Sequence, residues 1–282
     1  MEPVGPDDTV FRPRRVNSHM RSLRDVLEWL AEAETPVHAT LYDELAPLYA
    51  FERERMRNYP AIAEFVARQT PDDAQSVGVG ACGPGFVLDD LTNRFEAAVG
   101  FDLSPQMLAL ARERTDAPVV AADLRTCVAP GAFDVFTVLG GSIAHLPIVD
   151  GADSVPAVLE SASESLRPGG TLLLDFMERG ALESGHVTTD SFASDCFEVE
   201  RTVLTTGEPD GQTGLGATGR YTFAYEITAN ENEETARVGT TTSVREFSPG
   251  ALLGAVLNAG FADARLVTPP THGAGIVARK QG

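Results

Sequence analysis

The sequence predicts an α/β protein built on a doubly wound parallel sheet, with an antiparallel β insertion before the last helix and the final two strands. Two patterns lead to this fold class. From residue 76 onwards, short apolar runs alternate with helical patterns, which is typical of strand–helix–strand units. The stretch 186–247 instead alternates apolar and polar residues, for example in RYTFAYEIT, which is typical of antiparallel strands with one exposed face.

The elements follow from the spacing of apolar residues along the chain. Residues 1–18 are expected to be a flexible tail, because they are polar and rich in proline. Amphipathic helices are expected over residues 20–33 and 41–67. Strands are expected at 76–80, 96–101, 118–122, 133–139, 170–175, 261–267 and 274–279. Further helices are expected at 86–92, 104–115, 152–166 and 248–259.

Composition narrows the class of partner. The chain of 282 residues is 43% hydrophobic, which suffices for a full core. It carries 41 acidic residues against 22 Lys and Arg, a net charge of -19, and Lys280 is its one lysine. This charge repels phosphates, so no nucleic-acid partner is expected. Cys82, Cys127 and Cys196 show no CxxC spacing, so neither a disulfide framework nor a metal site is expected.

The acidic, lysine-poor composition resembles that of proteins from salt-accumulating microbes, and it predicts a halophilic-type surface. No apolar run reaches membrane-spanning length, and the N-terminus lacks the apolar core of a signal peptide. A cytoplasmic protein with no membrane partner is therefore expected, and a homo-oligomer is compatible with the sequence.

A glycine-rich segment, VGVGACGPGFVLDDL, follows the first strand. Glycine is needed where backbone approaches a ligand closely, and the following helix offers its N-terminal amides. Gly78, Gly80 and Gly83 fit the G-x-G-x-x-G pattern of dinucleotide sites, which favours an NAD(P)-dependent oxidoreductase. Pro84 and Gly85 delay the helix, however, so we prefer residues 81–85 as the ligand loop.

Asp102 ends the second strand, about 20 residues beyond the glycines. A carboxylate at this position accepts both hydroxyls of a ribose, which is our preferred interpretation. The alternative is that Asp102 caps the next helix. Ser104 and Pro105 fit the N-cap and first position of that helix. The ribose role is preferred because the strand end and the glycine spacing agree.

Five motifs in order resemble class I S-adenosylmethionine-dependent methyltransferases, whose fold is Rossmann-like. They cover roughly residues 40–175, with a weaker echo at 245–267. The motifs are ACGPG, FDLSPQML, Ala122-Asp123-Leu124, FDVFTVLGGSIAHLP and LRPGGTLLLD. Within the class, ACGPG and LGGSIAHLP look most like glycine N-methyltransferase and related small-molecule methyltransferases. The resemblance implies S-adenosylmethionine as the cofactor and a small amine or hydroxyl compound as the methyl acceptor.

The resemblance also implies which residues contact the cofactor. Ala81, Gly83 and Gly85 would approach its methionine part. Asp102 would hold the ribose and Met107 would pack on the adenine. The full implied set is Arg55, Ala81, Gly83, Gly85, Asp102, Leu103, Met107, Asp123, Leu124, Leu139 and His145.

The resemblance implies further roles for five of these residues. Asp123, with the Leu124 backbone, would read the adenine amino group, and Leu139 and His145 would close the pocket after the fourth strand. Arg55 resembles the arginine that pairs with the cofactor carboxylate, which a guanidinium binds bidentately. The alternative is that Arg55 lies on a solvated, charged helix face.

The sequence departs from the family pattern at three positions. Val79 replaces an acidic residue of the first strand. Gly141 and Met177 stand where glycine N-methyltransferases carry the Asn and Arg that hold the substrate carboxylate, and Arg179 is a candidate substitute. The expected acceptor is therefore larger than glycine. Aromatic walls for it would come from the insertion, at Phe192, Phe197, Tyr221, Phe223 and Tyr225.

Methyl transfer from a sulfonium needs alignment more than a strong base, so no catalytic residue is assigned apart from His145, which is a candidate. A non-catalytic binding protein with the same fold is a third alternative, because of the three departures. The expected organisation is a tail (1–18), N-terminal helices capping the cofactor (19–70), a cofactor-binding core (71–185), the insertion as substrate lid or oligomer contact (186–247), and the end of the core (248–282).

Overall fold

The computed structural model describes residues 21–32, 39–146, 148–149, 152–212, 214–271 and 273–282, so the expected tail lies outside the described residues. Three helices precede the sheet: α1 (Leu23–Ala31), α2 (Ala46–Met56) and α3 (Tyr59–Gln69). The amphipathic stretch expected over 41–67 is two helices rather than one. It breaks because the Asn58 side chain accepts a hydrogen bond from the Ala61 amide at 3.1 Å and starts a new helix, with Pro60 in its first turn.

The sheet and its helices follow in alternation, as expected. The elements are β1 (Ser76–Gly80), α4 (Phe86–Thr92), β2 (Ala97–Asp102), α5 (Pro105–Arg114), β3 (Val119–Ala121), β4 (Phe133–Val138), β5 (Ile148–Val149), β6 (Ala152–Asp153), α6 (Val155–Ser165) and β7 (Leu166–Phe176). The insertion contributes β8 (Val187–Ala193), β9 (Phe197–Gln212), β10 (Gly216–Ala229) and β11 (Thr235–Phe247). The chain then returns through α7 (Pro249–Asn258), β12 (Phe261–Val267) and β13 (Ala274–Lys280).

The central sheet has seven strands in the order β12-β13-β7-β4-β1-β2-β3. Neighbouring strands from β7 through β3 pair in parallel, whereas β13 is antiparallel to both β7 and β12. The predicted doubly wound fold with an antiparallel insertion is thus confirmed, and β13 is the one described strand that runs antiparallel to both of its neighbours in the central sheet. The link between β12 and β13 is too short for the crossover of a dozen or more residues that a parallel pair requires.

The strand order reverses between β1 and β4. In open α/β sheets the crevice at the carboxyl ends of the strands on either side of such a reversal is the usual ligand site. One face of the sheet packs against α6 and α7 through residues such as Phe136, Leu172 and Leu252. The other face packs against α3, α4 and α5 through Val77 and Leu88, among others. Both faces are therefore buried, as a doubly wound sheet requires.

The insertion forms a second sheet of four antiparallel strands, in the order β11-β10-β9-β8. Its inner face does not pack on the central sheet but on α1 and α2, where Val199, Phe223 and Ile227 meet Leu27 and Leu48. The N-terminal helices and the insertion therefore share one apolar core, and together they lie over the carboxyl ends of the central strands. Within the described residues, no helix is long and apolar enough to cross a membrane.

Candidate functional site

A single cavity of about 710 Å³ lies between the central sheet and this second core. We call its two ends the loop half and the insertion half. The loop half is lined by Ala81, Gly83, Asp102, Leu103, Met107, Asp123 and Leu124. The insertion half is lined by Tyr49, Arg53, Arg201, Val203, Tyr221 and Phe223. Seven of the eleven residues expected at the cofactor thus share one end of the cavity, and His145 lines the same cavity.

The glycine-rich loop exposes its backbone to the cavity. Ala81 and Gly83 have φ angles of 50° and 55°, a left-handed conformation that costs an L-residue about 1–2 kcal/mol. A Cβ at Gly83 would meet nothing within 4 Å, so the space beside this backbone is open. A ligand can therefore approach the backbone closely at this position.

Asp102 holds the loop to the end of β2. Its Oδ2 accepts a hydrogen bond from the Gly83 amide at 2.8 Å, and its Oδ1 accepts one from the Ser104 amide at 2.9 Å. Burial raises the pKa of Asp102, against the opposing effect of these hydrogen bonds. The cap of α5 is Ser104, whose Oγ accepts from the Met107 amide at 3.1 Å, so Asp102 is not the N-cap. Each Asp102 oxygen keeps lone-pair capacity for a ligand hydroxyl.

Asp123 has a neighbour that the sequence analysis missed. The guanidinium of Arg125 donates to the carboxylate from Nε at 3.0 Å and again from Nη2, and these bonds lower the pKa of Asp123. Both residues line the cavity. Arg125 can reach Asp123 in a turn because the two are separated by two positions. This spacing alone does not predict that both side chains line the cavity.

The loop after β4 is held by a buried carboxylate. Asp175, at the end of β7, has no exposed surface and accepts from the amides of Gly140 at 2.8 Å and Gly141 at 2.7 Å. Both glycines have left-handed φ angles and line the cavity, whereas Leu139 packs into the core beside β1 and does not. The expectation for Leu139 is corrected accordingly. Asp175 closes the motif LRPGGTLLLD, which was the available signal for its position.

His145 is fixed by three contacts around its ring. Its Nδ1 lies 3.1 Å from the Ser243 carbonyl oxygen and 3.4 Å from Thr242 Oγ1, and the Tyr42 ring approaches edge-on with centroids 5.6 Å apart. Tyr42 is held in turn, because the Ser104 hydroxyl donates to its carbonyl at 2.6 Å. The insertion, the N-terminal segment and the core therefore meet at this histidine.

Arg55, which was expected at the cofactor, does not line the cavity. Arg55 stacks over Phe51, with its guanidinium carbon 3.7 Å from the ring centroid, and its Nε donates to the Ala193 carbonyl at 3.0 Å. Arg57 faces the cavity instead and donates to the Gly140 carbonyl at 3.2 Å. Arg57 faces the cavity and Arg55 does not because α2 ends at Met56, so Arg57 lies beyond the last helical residue.

Gly85 also has another task. It begins α4 with φ 84°, and a Cβ there would lie 3.1 Å from the Cβ of Ala111. It lets α4 approach α5 closely and does not line the cavity. Its requirement for glycine is therefore explained by backbone conformation and packing, not by contact with a ligand.

The two positions at which an Asn and an Arg would hold a substrate carboxylate carry no charged side chain, as the sequence indicated. Gly141 and Met177 both line the cavity, and the Tyr221 hydroxyl approaches the Met177 sulfur at 3.4 Å. Arg179 is exposed and does not line the cavity, so it does not replace the missing arginine. Of the five aromatic residues expected as walls, Tyr221 and Phe223 line the cavity.

A buried ionic network supports the insertion half. Glu52 has no exposed surface; its Oε1 accepts from Arg201 at 2.8 Å and its Oε2 accepts from the Tyr225 hydroxyl at 3.0 Å. Arg201 also pairs with Asp190. Glu52 belongs to the charged stretch around Arg55, for which a solvated helix face was the alternative, and the sequence analysis did not predict the network. A signal existed in β9, where Arg201 stands in phase with the inward-facing Val199 and Val203.

Comparison with known proteins adds the family context. Residues 80–170 match the family described as "Methyltransferase domain". A dTDP-3-amino-3,6-dideoxy-alpha-D-glucopyranose N,N-dimethyltransferase from Streptomyces fradiae is 28% identical over 217 residues, which cover 72% of this chain and 83% of that protein. A dTDP-3-amino-3,4,6-trideoxy-alpha-D-glucopyranose N,N-dimethyltransferase from Streptomyces venezuelae is 30% identical over 143 residues, 49% of this chain and 56% of that protein.

Among solved structures, the sugar N-methyltransferase KedS8 from Streptoalloteichus sp ATCC 53650 superimposes with a TM-score of 0.72 at 25% identity. The match covers 89% of this chain and 98% of that one. These relatives are sugar N-methyltransferases, so the finer resemblance to glycine N-methyltransferases is not supported. They also favour methyl transfer over the alternatives of an NAD(P)-dependent oxidoreductase and a non-catalytic binding protein. The chain has the fold of class I methyltransferases, and it is an S-adenosylmethionine-dependent methyltransferase that acts on a small molecule.

Proposed function

We propose that the chain methylates the amino group of a deoxyamino sugar carried on a nucleoside diphosphate. The two Streptomyces relatives are N,N-dimethyltransferases of dTDP-linked amino deoxy sugars, and KedS8 is a sugar N-methyltransferase. The observation that carries the proposal is the continuous cavity of about 710 Å³, which joins the loop half to an aromatic insertion half. A cavity of this size accommodates a cofactor and a sugar side by side.

The loop half fits the cofactor. The open backbone at Gly83 suits its methionine part, and the remaining lone pairs of Asp102 suit two ribose hydroxyls. Leu103 and Met107 would flank the adenine. Arg57 would take the carboxylate in place of Arg55, since it lies at Gly140 on the edge of the loop half.

Asp123 and Leu124 would read the adenine amino group. The Arg125 contact leaves Asp123 ionised, because it lowers the pKa of that carboxyl, and an ionised carboxylate is the better acceptor for an amino donor. Arg125 would stay in place, since each carboxylate oxygen accepts more than one hydrogen bond.

When bound, S-adenosylmethionine would supply a methyl group that its positively charged sulfur activates for transfer to the nitrogen of a neutral amine, with the neutral thioether as the leaving group. The task of the protein is to deliver the amine deprotonated, in line and away from water. The contact between His145 Nδ1 and the Ser243 carbonyl fixes the tautomer, because a carbonyl only accepts and Nδ1 must then carry the hydrogen. In the proposed role His145 would act through Nε2, which would take the proton of an arriving ammonium group.

The open positions argue against a free amino acid. Gly141 and Met177 offer no charged donor to a carboxylate, and Arg179 is exposed outside the cavity. Tyr221 and Phe223 instead offer flat apolar walls with one hydroxyl, which suits the mixed apolar and polar surface of a deoxy sugar.

The test is a panel of acceptors assayed for release of the demethylated cofactor and for the mass of the product. The panel contains dTDP-linked 3-amino and 4-amino deoxy sugars, their hydroxyl counterparts without the amine, and glycine. We expect turnover of at least one amino sugar, with one or two methyl groups added, and none of glycine. Turnover of the hydroxyl sugars alone, or efficient turnover of glycine, would overturn the proposal.

A further inference from the structure

Arg53 presents unused hydrogen-bond donors to the insertion half. Its guanidinium carbon lies 5.0 Å from the centroid of the Tyr49 ring, and both residues line the cavity. Its Nε is buried and makes no hydrogen bond to a described residue, although it forms an ion pair with Glu52 Oε1 at 3.3 Å. The buried Nε of Arg201 likewise makes no hydrogen bond within the described part of the chain. A buried donor that makes no hydrogen bond is costly, so these groups favour a ligand that brings oxygen atoms.

The charges around Arg53 do not cancel in the interior. Glu52 Oε1 lies 3.3 Å from Arg53 Nε and 2.8 Å from Arg201 Nη1, so one carboxylate serves two guanidinium groups. The other carboxylate, Asp190, has a side chain that is 42% exposed, against 7% for Arg201 and 0% for Glu52. Water screens the charge of Asp190 more than the buried charges, which leaves a local excess of positive charge.

This excess contrasts with the whole chain, whose net charge is -19. An anion is repelled by most of the surface and attracted at this position. A guanidinium group has donors only, in a planar fork that matches phosphate and carboxylate oxygens. Arg53 lies on α2 against Tyr49 and Glu52, whereas Arg57 contacts Gly140.

We propose that Arg53, supported by Arg201, binds an anionic oxygen group of the methyl acceptor and so selects charged acceptors over neutral ones. The inference rests on the proposed function, in which the acceptor is a sugar on a nucleoside diphosphate. Phosphate and carboxylate share the required chemistry, and the experiment below separates them. Arg53 is a specificity-determining residue in this account, and it takes no part in moving the methyl group.

The experiment compares Arg53→Gln with Arg68→Gln, a matched loss of one positive charge from α3, where Arg68 is exposed and paired with Glu64. KM and kcat are measured with a dTDP-linked amino sugar, the same amino sugar without the nucleotide, and an amino sugar that carries a carboxylate. For Arg53→Gln we expect KM to rise tenfold or more with the anionic acceptor that binds this site, because a charge-assisted hydrogen bond is lost. KM for the neutral sugar and for the cofactor should not change, and Arg68→Gln should match the parent throughout.

A rise confined to the dTDP-linked sugar assigns the site to phosphate, and one confined to the acidic sugar assigns it to carboxylate. Equal changes with all three acceptors, or a change in cofactor affinity alone, would overturn the inference. The KM of Arg53→Lys for the anionic acceptor should lie between those of the parent and Arg53→Gln, because lysine keeps the charge but lacks the planar guanidinium fork.

Failure of the proposed function has a different signature, because the parent would then methylate none of the amino sugars. In that case calorimetric titration of the parent and Arg53→Gln with dTDP and with thymidine still decides the matter. Weaker binding of dTDP by the variant, with thymidine unchanged, supports the anion site. Equal binding of dTDP by both proteins would show that Arg53 does not bind phosphate. In the same way, equal binding of glucuronate by both proteins would show that Arg53 does not bind carboxylate.

Discussion

The two halves of the cavity are held in shape by different chemistry. In the loop half, single carboxylates collect backbone amides: Asp102 binds those of Gly83 and Ser104, and Asp175 those of Gly140 and Gly141. In the insertion half, side chains bind one another across 149 positions of sequence, from Glu52 to Arg201. The first arrangement needs a local motif and the second needs the completed fold. Substitutions in the insertion half should therefore change the affinity for the acceptor and leave the affinity for the cofactor unchanged. Substitutions in the loop half should change the affinity for the cofactor and leave that for the acceptor unchanged.

The largest expected effect comes from breaking the network of the insertion half. Glu52→Gln removes the carboxylate that Arg201 and the Tyr225 hydroxyl share in the interior. We expect the free energy of unfolding to fall by about 3 kcal/mol or more, because Arg53 and Arg201 lose the buried carboxylate that they share and Arg201 keeps only the half-exposed Asp190. Denaturant unfolding measures this change.

The matched control is Glu64→Gln, which breaks the exposed pair with Arg68 and should change stability by less than about 1 kcal/mol. If both variants are equally stable, the network contributes nothing and the contrast between the two halves is lost.

The next largest effect is on cofactor affinity. Asp102→Ala removes the acceptor proposed for two ribose hydroxyls and also releases the Gly83 amide. S-adenosylmethionine should bind about 2–3 kcal/mol more weakly, as expected for the loss of charge-assisted hydrogen bonds. Calorimetric titration measures the change, and binding of dTDP to the insertion half is the internal control. A folded variant with parental cofactor affinity would show that Asp102 only shapes the loop.

Elements with strong local signals could be predicted from the sequence. The helix expected at 86–92 and the strand expected at 76–80 have the predicted bounds, because glycines and apolar runs delimit them. The cluster of Ala81, Gly83 and Asp102 was also predictable, since parallel strands bring their carboxyl ends together. These features depend on residues that lie close together in sequence or in one supersecondary unit.

The remaining features depend on competition between distant partners. Both Arg55 and Arg57 were available for the cavity, and the cap at Asn58 decided between them. Glu52 stands among charged neighbours that suggested a solvated face, yet β9 and β10 of the insertion bury it. No periodicity within α2 carries that information. The antiparallel direction of β13 was in principle readable from the short link that precedes it.

A smaller effect should appear in the pH dependence of cofactor binding. In the proposed function, ribose hydroxyls would donate to the ionised form of Asp102, so affinity should be constant above the pKa and decline by about tenfold per pH unit below it. Burial raises the pKa of Asp102, and the decline should therefore begin at a higher pH than for an ordinary aspartate. Titrations with S-adenosylmethionine at successive pH values test this in the parent. In Asp102→Asn the low-pH decline should disappear, and a decline that persists would assign the titrating group elsewhere.

The smallest effect concerns charge outside both halves. With 41 acidic against 22 basic residues, repulsion among surface carboxylates opposes folding in dilute buffer, and added salt screens it over about 10 Å at 0.1 M. The melting temperature should therefore rise by a few degrees between dilute and molar salt, measured by calorimetry. The buried pair of Glu52 and Arg201 is screened much less than exposed charges, so Glu52→Gln should melt lower but gain the same increment from salt. A melting temperature that ignores salt would contradict the surface explanation. If the rise in melting temperature with salt is lost only in Glu52→Gln, salt acts through the buried network of the insertion half and not through the surface carboxylates.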